Sequence, residues 1–116
     1  MMNCIPSAKQ SPRIENGVVK WYEGDTFALQ LELDIVDQDG ERVVLDPEDT
    51  VTAVFRNDAL RVVKEFSFTD ITDNTITLVF DSTCTALFPA GHYTYDIRCI
   101  GARRTTVCSD NEAEVA

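Results

Sequence analysis

Between residues 27 and 35 the chain repeats with a period of two. Phe27, Leu29, Leu31, Leu33 and Ile35 are apolar, and Ala28, Gln30, Glu32 and Asp34 separate them. Successive side chains of a strand point to opposite faces, so this segment offers one face to a core and one to water. A helix would scatter the same five apolar residues around its circumference. The segment predicts a half-buried antiparallel strand, and such a strand needs partners elsewhere in the chain.

The partners are visible as short runs between turn signals. Val18 to Tyr22 is one, ended by Glu23-Gly24. Asp37-Gln-Asp39-Gly40 reads as a hairpin turn, with Asp39-Gly40 able to supply positive φ, and Arg42 to Leu45 as a short return. Val51, Ala53 and Phe55 alternate with Thr50, Thr52 and Arg56, while Val54 falls on the outer side. Val62, Phe66 and Phe68 share a face with Lys64, although Val63 and Glu65 blur that strand. Ile76, Leu78 and Phe80 alternate again. Asp81 or Ser82 can cap one helical turn over residues 82–88, which Pro89-Ala-Gly91 closes. Tyr93, Tyr95, Ile97 and Cys99 then face opposite to His92, Thr94, Asp96 and Arg98. Gly101-Ala-Arg103 is the connecting turn before a last strand from Arg104 to Cys108.

Strands at this spacing, with no long helix, predict an all-β fold: an Ig-like antiparallel sandwich of seven to eight strands with one short helical turn. Three regions follow. Residues 1–17 read as a flexible N-terminal arm, residues 18–108 as the β-sandwich domain, and residues 109–116 as a flexible acidic tail. At 116 residues there is room for one core and one domain.

Charge excludes some partners. Ten Lys and Arg against twenty Asp and Glu give a net charge of −10. Nucleic acid needs a cationic stripe, and an anionic membrane surface repels such a chain. No apolar run approaches the roughly 20 residues of a membrane span, and the N-terminus lacks a basic segment followed by an apolar stretch. A start in a cytosol, with neither nucleic acid nor membrane as partner, is expected.

Catalytic groups are sparse in pattern. His92 is the only histidine, next to a turn and opposite the tyrosines, so an exposed histidine is expected there rather than a catalytic one. Cys4, Cys84, Cys99 and Cys108 are scattered and do not have paired zinc-ligand spacing. Cys99 and Cys108 flank a predicted hairpin, which suits either a disulfide or two small buried thiols in a reducing compartment. Asp37-Gln-Asp39-Gly40 matches only part of a calcium loop, since position 46 is Asp where a bidentate Glu is needed. No phosphate loop, dinucleotide fingerprint or nucleophile elbow is present, and no pair of acids stands out for glycoside chemistry. The expectation is a protein that is not an enzyme and uses neither metal nor cofactor. Trp21, Tyr22, Tyr93 and Tyr95 suit either a sugar-binding platform or the core, with Tyr93 and Tyr95 on the apolar face.

Three segments carry a resemblance. They are Glu23-Gly-Asp-Thr-Phe27 opening the long strand, Leu45-Asp-Pro-Glu-Asp-Thr-Val51, and Leu87-Phe-Pro-Ala-Gly-His-Tyr-Thr-Tyr-Asp-Ile97. In these the chain resembles the N-terminal β-sandwich domain of phage baseplate upper proteins, over about residues 18–108. The second segment lacks the family's glycine, and Phe88 is an extra residue in the third. The resemblance implies a non-enzymatic structural or assembly protein of a tailed-phage or prophage particle, in the tail or baseplate. It would be located in the virion, assembled in the host cytoplasm, and bound to other virion proteins or to copies of itself. The alternative is a carbohydrate-binding or adhesive Ig-like module. Trp21, Tyr22 and His92 are the candidate partner contacts.

Overall fold

A computed structural model of the protein describes residues 2–7, 12–101 and 105–116. Among these residues are nine strands and one helical turn: β1 (Met2–Ser7), β2 (Arg13–Glu15), β3 (Val18–Trp21), β4 (Phe27–Ile35), β5 (Thr50–Asn57), β6 (Val62–Phe68), β7 (Thr75–Phe80), α1 (Ser82–Thr85), β8 (Gly91–Ile100) and β9 (Thr105–Val115). They form a three-stranded sheet, β1-β4-β7, and a six-stranded sheet, β2-β3-β9-β8-β5-β6, packed as a sandwich. All pairings are antiparallel except that of β3 with β9.

The alternating segments produce this arrangement directly. β4 buries Leu29, Leu31, Leu33 and Ile35, and β7 buries Ile76, Leu78 and Phe80 from the same sheet. The opposing sheet contributes Val51, Ala53 and Phe55 from β5 and Tyr93, Tyr95, Ile97 and Cys99 from β8. Each fully buried aliphatic or aromatic side chain adds roughly 1.5–3 kcal/mol of transfer free energy. The one-turn helix forms as expected. The Asp81 carboxylate accepts from Cys84 N at 2.8 Å, and the chain runs on to bury Phe88 completely. Tyr93 then donates its hydroxyl to Pro89 O, which fixes the corner into β8. Gly40 takes the positive φ of the Asp37–Gly40 turn, and the Asp37 carboxylate accepts from Asp39 N and Glu41 N.

Several expectations need correction. Residues 2–7, expected within an arm, form β1 and pair with β4 from Met2↔Ile35 to Ser7↔Gln30. The inward side chains there are Met2, Cys4 and Pro6, whereas Ile5 points outward. An edge strand accommodates the proline, which needs no ladder donor on its free side. Residues 8–11 of that arm lie outside the described residues. Asn16 and Gly17 both have positive φ and close a tight hairpin between β2 and β3, so residues 13–15 also belong to the sheet.

The acidic tail is corrected as well. It continues β9, and Ala113 and Val115 are buried between β3 and β8 while Glu112 and Glu114 point to solvent. Arg42–Leu45 makes one bridge, Val36↔Arg42, and no strand. Asn74 holds that loop instead. Its Oδ1 accepts from Leu45 N at 2.9 Å, and its Nδ2 donates to Val43 O at 2.7 Å. Its own carbonyl accepts from Leu33 N. On β6, Phe66, Phe68 and Val63 pack against the core and Val62 is exposed, because the register shifts between Phe55 and Arg56. The Ala102 and Arg103 part of the last expected turn, and Arg104, lie outside the described residues.

Candidate interaction surface

The six-stranded sheet has one face turned away from the core. Registers across β3, β9, β8 and β5 set its rows. Lys20, Glu114 and His92 stand in one row, and Glu112, Thr94 and Arg56 in the next. Arg56 Nη1 reaches Asp96 Oδ2 at 2.8 Å, and Asp96 Oδ1 accepts from Asp110 N at 3.0 Å. Asp96 thus ties β5, β8 and β9 together on the solvent side. Farther along, Arg98 opposes Val107, with Ile100 next on the same side of β8. Ile100 and Val107 are each 44% exposed.

A bulge divides this face. Tyr95 pairs with Asn111 and Ile97 with Cys108, so two steps on β8 match three on β9. Asp110 takes φ +60 at the extra position. Asn111 Nδ2 donates to Tyr95 O at 3.0 Å and to Cys108 O at 3.1 Å, closing the distortion from within. One extra residue reverses the alternation of a strand. Cys108 therefore turns inward, and Val107 turns out beside Arg98.

Two shallow depressions flank the bulge. One, of about 380 Å³, is lined by Lys20, Asp58, His92, Thr94, Glu112 and Glu114 among others. The second, of about 310 Å³, is lined by Val54, Arg56, Glu65, Arg98, Ile100 and Val107 among others. The first is acidic with a single lysine; the second mixes apolar surface with arginine. Among the described residues no group of three His, Cys, Asp or Glu side chains is placed to hold a metal ion. No helix among them is long and apolar enough to cross a membrane.

The three candidate contacts do not converge. Trp21 is 3% exposed and lies in the core, with ring centroids 5.1 Å from Phe27, 5.3 Å from Phe80 and 5.7 Å from Phe88. It is not a surface contact. Its alternate neighbour Tyr22 is 60% exposed just past the end of β3. His92 is exposed on the outer sheet face beside Glu114. Tyr93 and Tyr95 are buried, so the four aromatic residues form no platform. No sequence motif marks Asp96 or Asn111, which tie the strands of this sheet together. Glu112 and Glu114 fell within what read as a solvated tail.

No disulfide joins Cys4, Cys84, Cys99 or Cys108. Cys99 pairs with Thr106, not with Cys108, so those two are diagonal neighbours on the hairpin. No protein-family model and no curated protein matches this sequence.

Proposed function

We propose that the protein is a non-enzymatic structural component of a tailed-phage or prophage particle, in the tail or baseplate, acting through protein–protein contacts. The observation that carries the contact role is the outer face of β8 and β9, where Ile100 and Val107 stand half exposed beside Arg98. Apolar side chains next to an arginine on a wide, strand-built surface suit a partner protein, since interface cores favour apolar groups and arginine. The resemblance of Leu87–Ile97 and its two companion segments supplies the phage assignment. The strand order supports the Ig-like reading of the sandwich. β1, β4 and β7 make one sheet, β3, β9, β8, β5 and β6 lie in the other, and a tyrosine corner opens β8. Fold by itself gives no function, so the particle has to be examined.

The test is mass spectrometry of purified particles from the phage or induced prophage that encodes the chain. The protein is expected in them at a fixed ratio to the major tail proteins. Ile100→Asp is expected to fold normally and to be lost from particles. Absence of the wild-type chain from intact particles overturns the assignment.

A further inference from the structure

The bulge in β9 has a consequence on the inner side of the sheet. It turns Cys108 inward, and β1 lies against β9 across the sandwich with Cys4 on its own inward face. Both thiols pack against the core from facing strands, close enough that Cys108 acts on the Cys4 thiol. Asn111 holds the Cys108 side of the pair, with Oδ1 and Nδ2 each 3.5 Å from Cys108 Sγ. Cys99 is less well placed, since diagonal neighbours on adjacent antiparallel strands lie about 7–8 Å apart, beyond the usual Cα spacing of a disulfide. Cys84 sits at the helical turn and is buried.

We propose that Cys4 and Cys108 are a redox-active thiol pair whose oxidation fastens β1 to β9 across the two sheets. A small-molecule disulfide is the oxidant. One protein thiolate attacks it, forming a mixed disulfide and releasing one small thiolate. The second protein thiolate attacks the mixed disulfide, forming the Cys4–Cys108 bond and releasing the other. The small disulfide is reduced to two thiols and the protein pair is oxidised by two electrons, so the exchange balances. Burial, with the neighbouring Cys108 thiol adding to it, pushes the Cys4 thiol up. Its thiolate is scarce at neutral pH, and closure accelerates in alkaline solution.

The gain is specific to this topology. β1 is an edge strand that pairs only with β4 among the described strands. A bond from residue 4 to residue 108 closes a loop of roughly 100 residues, which removes much freedom from the unfolded chain. The same bond stops β1 from peeling off the sheet.

The experiment uses the full chain, incubated with oxidised glutathione, alkylated, and digested with trypsin without reduction. Cleavage after Lys9, Lys64, Arg98, Arg103 and Arg104 places the four cysteines on different peptides. The expected product links the Cys4 peptide to the Cys108 peptide, with a rise in melting temperature of roughly 10 °C that dithiothreitol reverses. Cys99→Ser is expected to keep both the link and the rise; Cys4→Ser and Cys108→Ser are each expected to lose both. A Cys99–Cys108 link, glutathione adducts without an internal bond, or four unreacted thiols overturns the proposal. The mapping on the wild-type chain decides even where a serine variant fails to fold.

Discussion

At one end of the sandwich the ring of Phe80 touches those of Trp21, Phe27, Phe55, Phe66 and Phe88, with centroids 4.6–5.7 Å apart. Toward the other end, Cys4 and Cys108 meet near Tyr95, and the β4 positions beside Met2 and Cys4 are Ile35 and Leu33. The aromatic end is held by area and shape, with each ring sharing its contacts among several others. The thiol end is smaller in side-chain volume and is placed by directional bonds from Asn74, Asp96 and Asn111. A non-directional core tolerates some repacking; a hydrogen-bonded one fails when a single partner leaves a buried group unpaired.

That contrast is open to direct attack. Phe80→Ala removes the ring common to five contacts and is expected to cost about 3–5 kcal/mol in urea unfolding. A cost under about 2 kcal/mol would mean that the rings close over the gap and the aromatic end is softer than its packing suggests. Asn74→Ala leaves Leu45 N and Val43 O without their partner, in a residue only 1% exposed, and is expected to cost about 2–4 kcal/mol. Hydrogen exchange should then rise first at residues 43–45. Asp96→Ala frees Arg56 and the Asp110 amide on the solvent side, for an expected loss of about 1–2 kcal/mol.

Alkali separates the two ends by a different route. The fold raises the Cys4 thiol above its ordinary value, so the unfolded chain gives up that proton first. The stabilisation is complete below the unfolded thiol's range and falls as pH climbs through it. Between pH 8 and 9.5 the loss is expected to be about 1 kcal/mol, and it should shrink in Cys4→Ala when stability is followed against pH. The smallest effect expected is that of Trp21→Phe. The indole N–H is buried and has no hydrogen-bond partner among the described residues, so removing it offsets much of the lost ring volume. A change within about 1 kcal/mol is expected from thermal unfolding; a much larger loss would show that the indole shape itself locks the aromatic end.

The same contrast explains what the sequence made legible. β4, β5, β7 and β8 announce themselves because their inward residues are large and strictly alternate. The Asp81 cap and the Pro89–Gly91 corner are local signals, and both were readable. β1 was hidden because its one strongly apolar β-branched residue, Ile5, faces water while Cys4 and Pro6 face in. β9 was hidden because its bulge shifts the alternation midway and its outward glutamates look like a solvated tail. Asn16-Gly17 is a strong hairpin signal, but it lies in a stretch with no sustained alternation, which reads as an arm. Nothing local distinguishes Asn74 from an ordinary turn residue, since its partners are about 30 positions earlier in the chain. Trp21 was ambiguous for a related reason: whether an aromatic at a strand end lies in or out depends on the opposite sheet.

The position of β9 also bears on how the chain is made. It lies between β3 and β8, and its backbone continues to Ala116, which bonds to both Trp21 and Glu23. While the polypeptide emerges from the ribosome, β8 can pair with β5, but its other side stays open until residues 105–115 have left the exit tunnel. Through that interval the nascent sandwich presents two bare strand edges, β3 and β8, the kind of exposure that invites pairing with neighbouring chains. A slowed ribosome or a premature release before β9 would therefore leave an aggregation-prone product rather than a slightly weakened one.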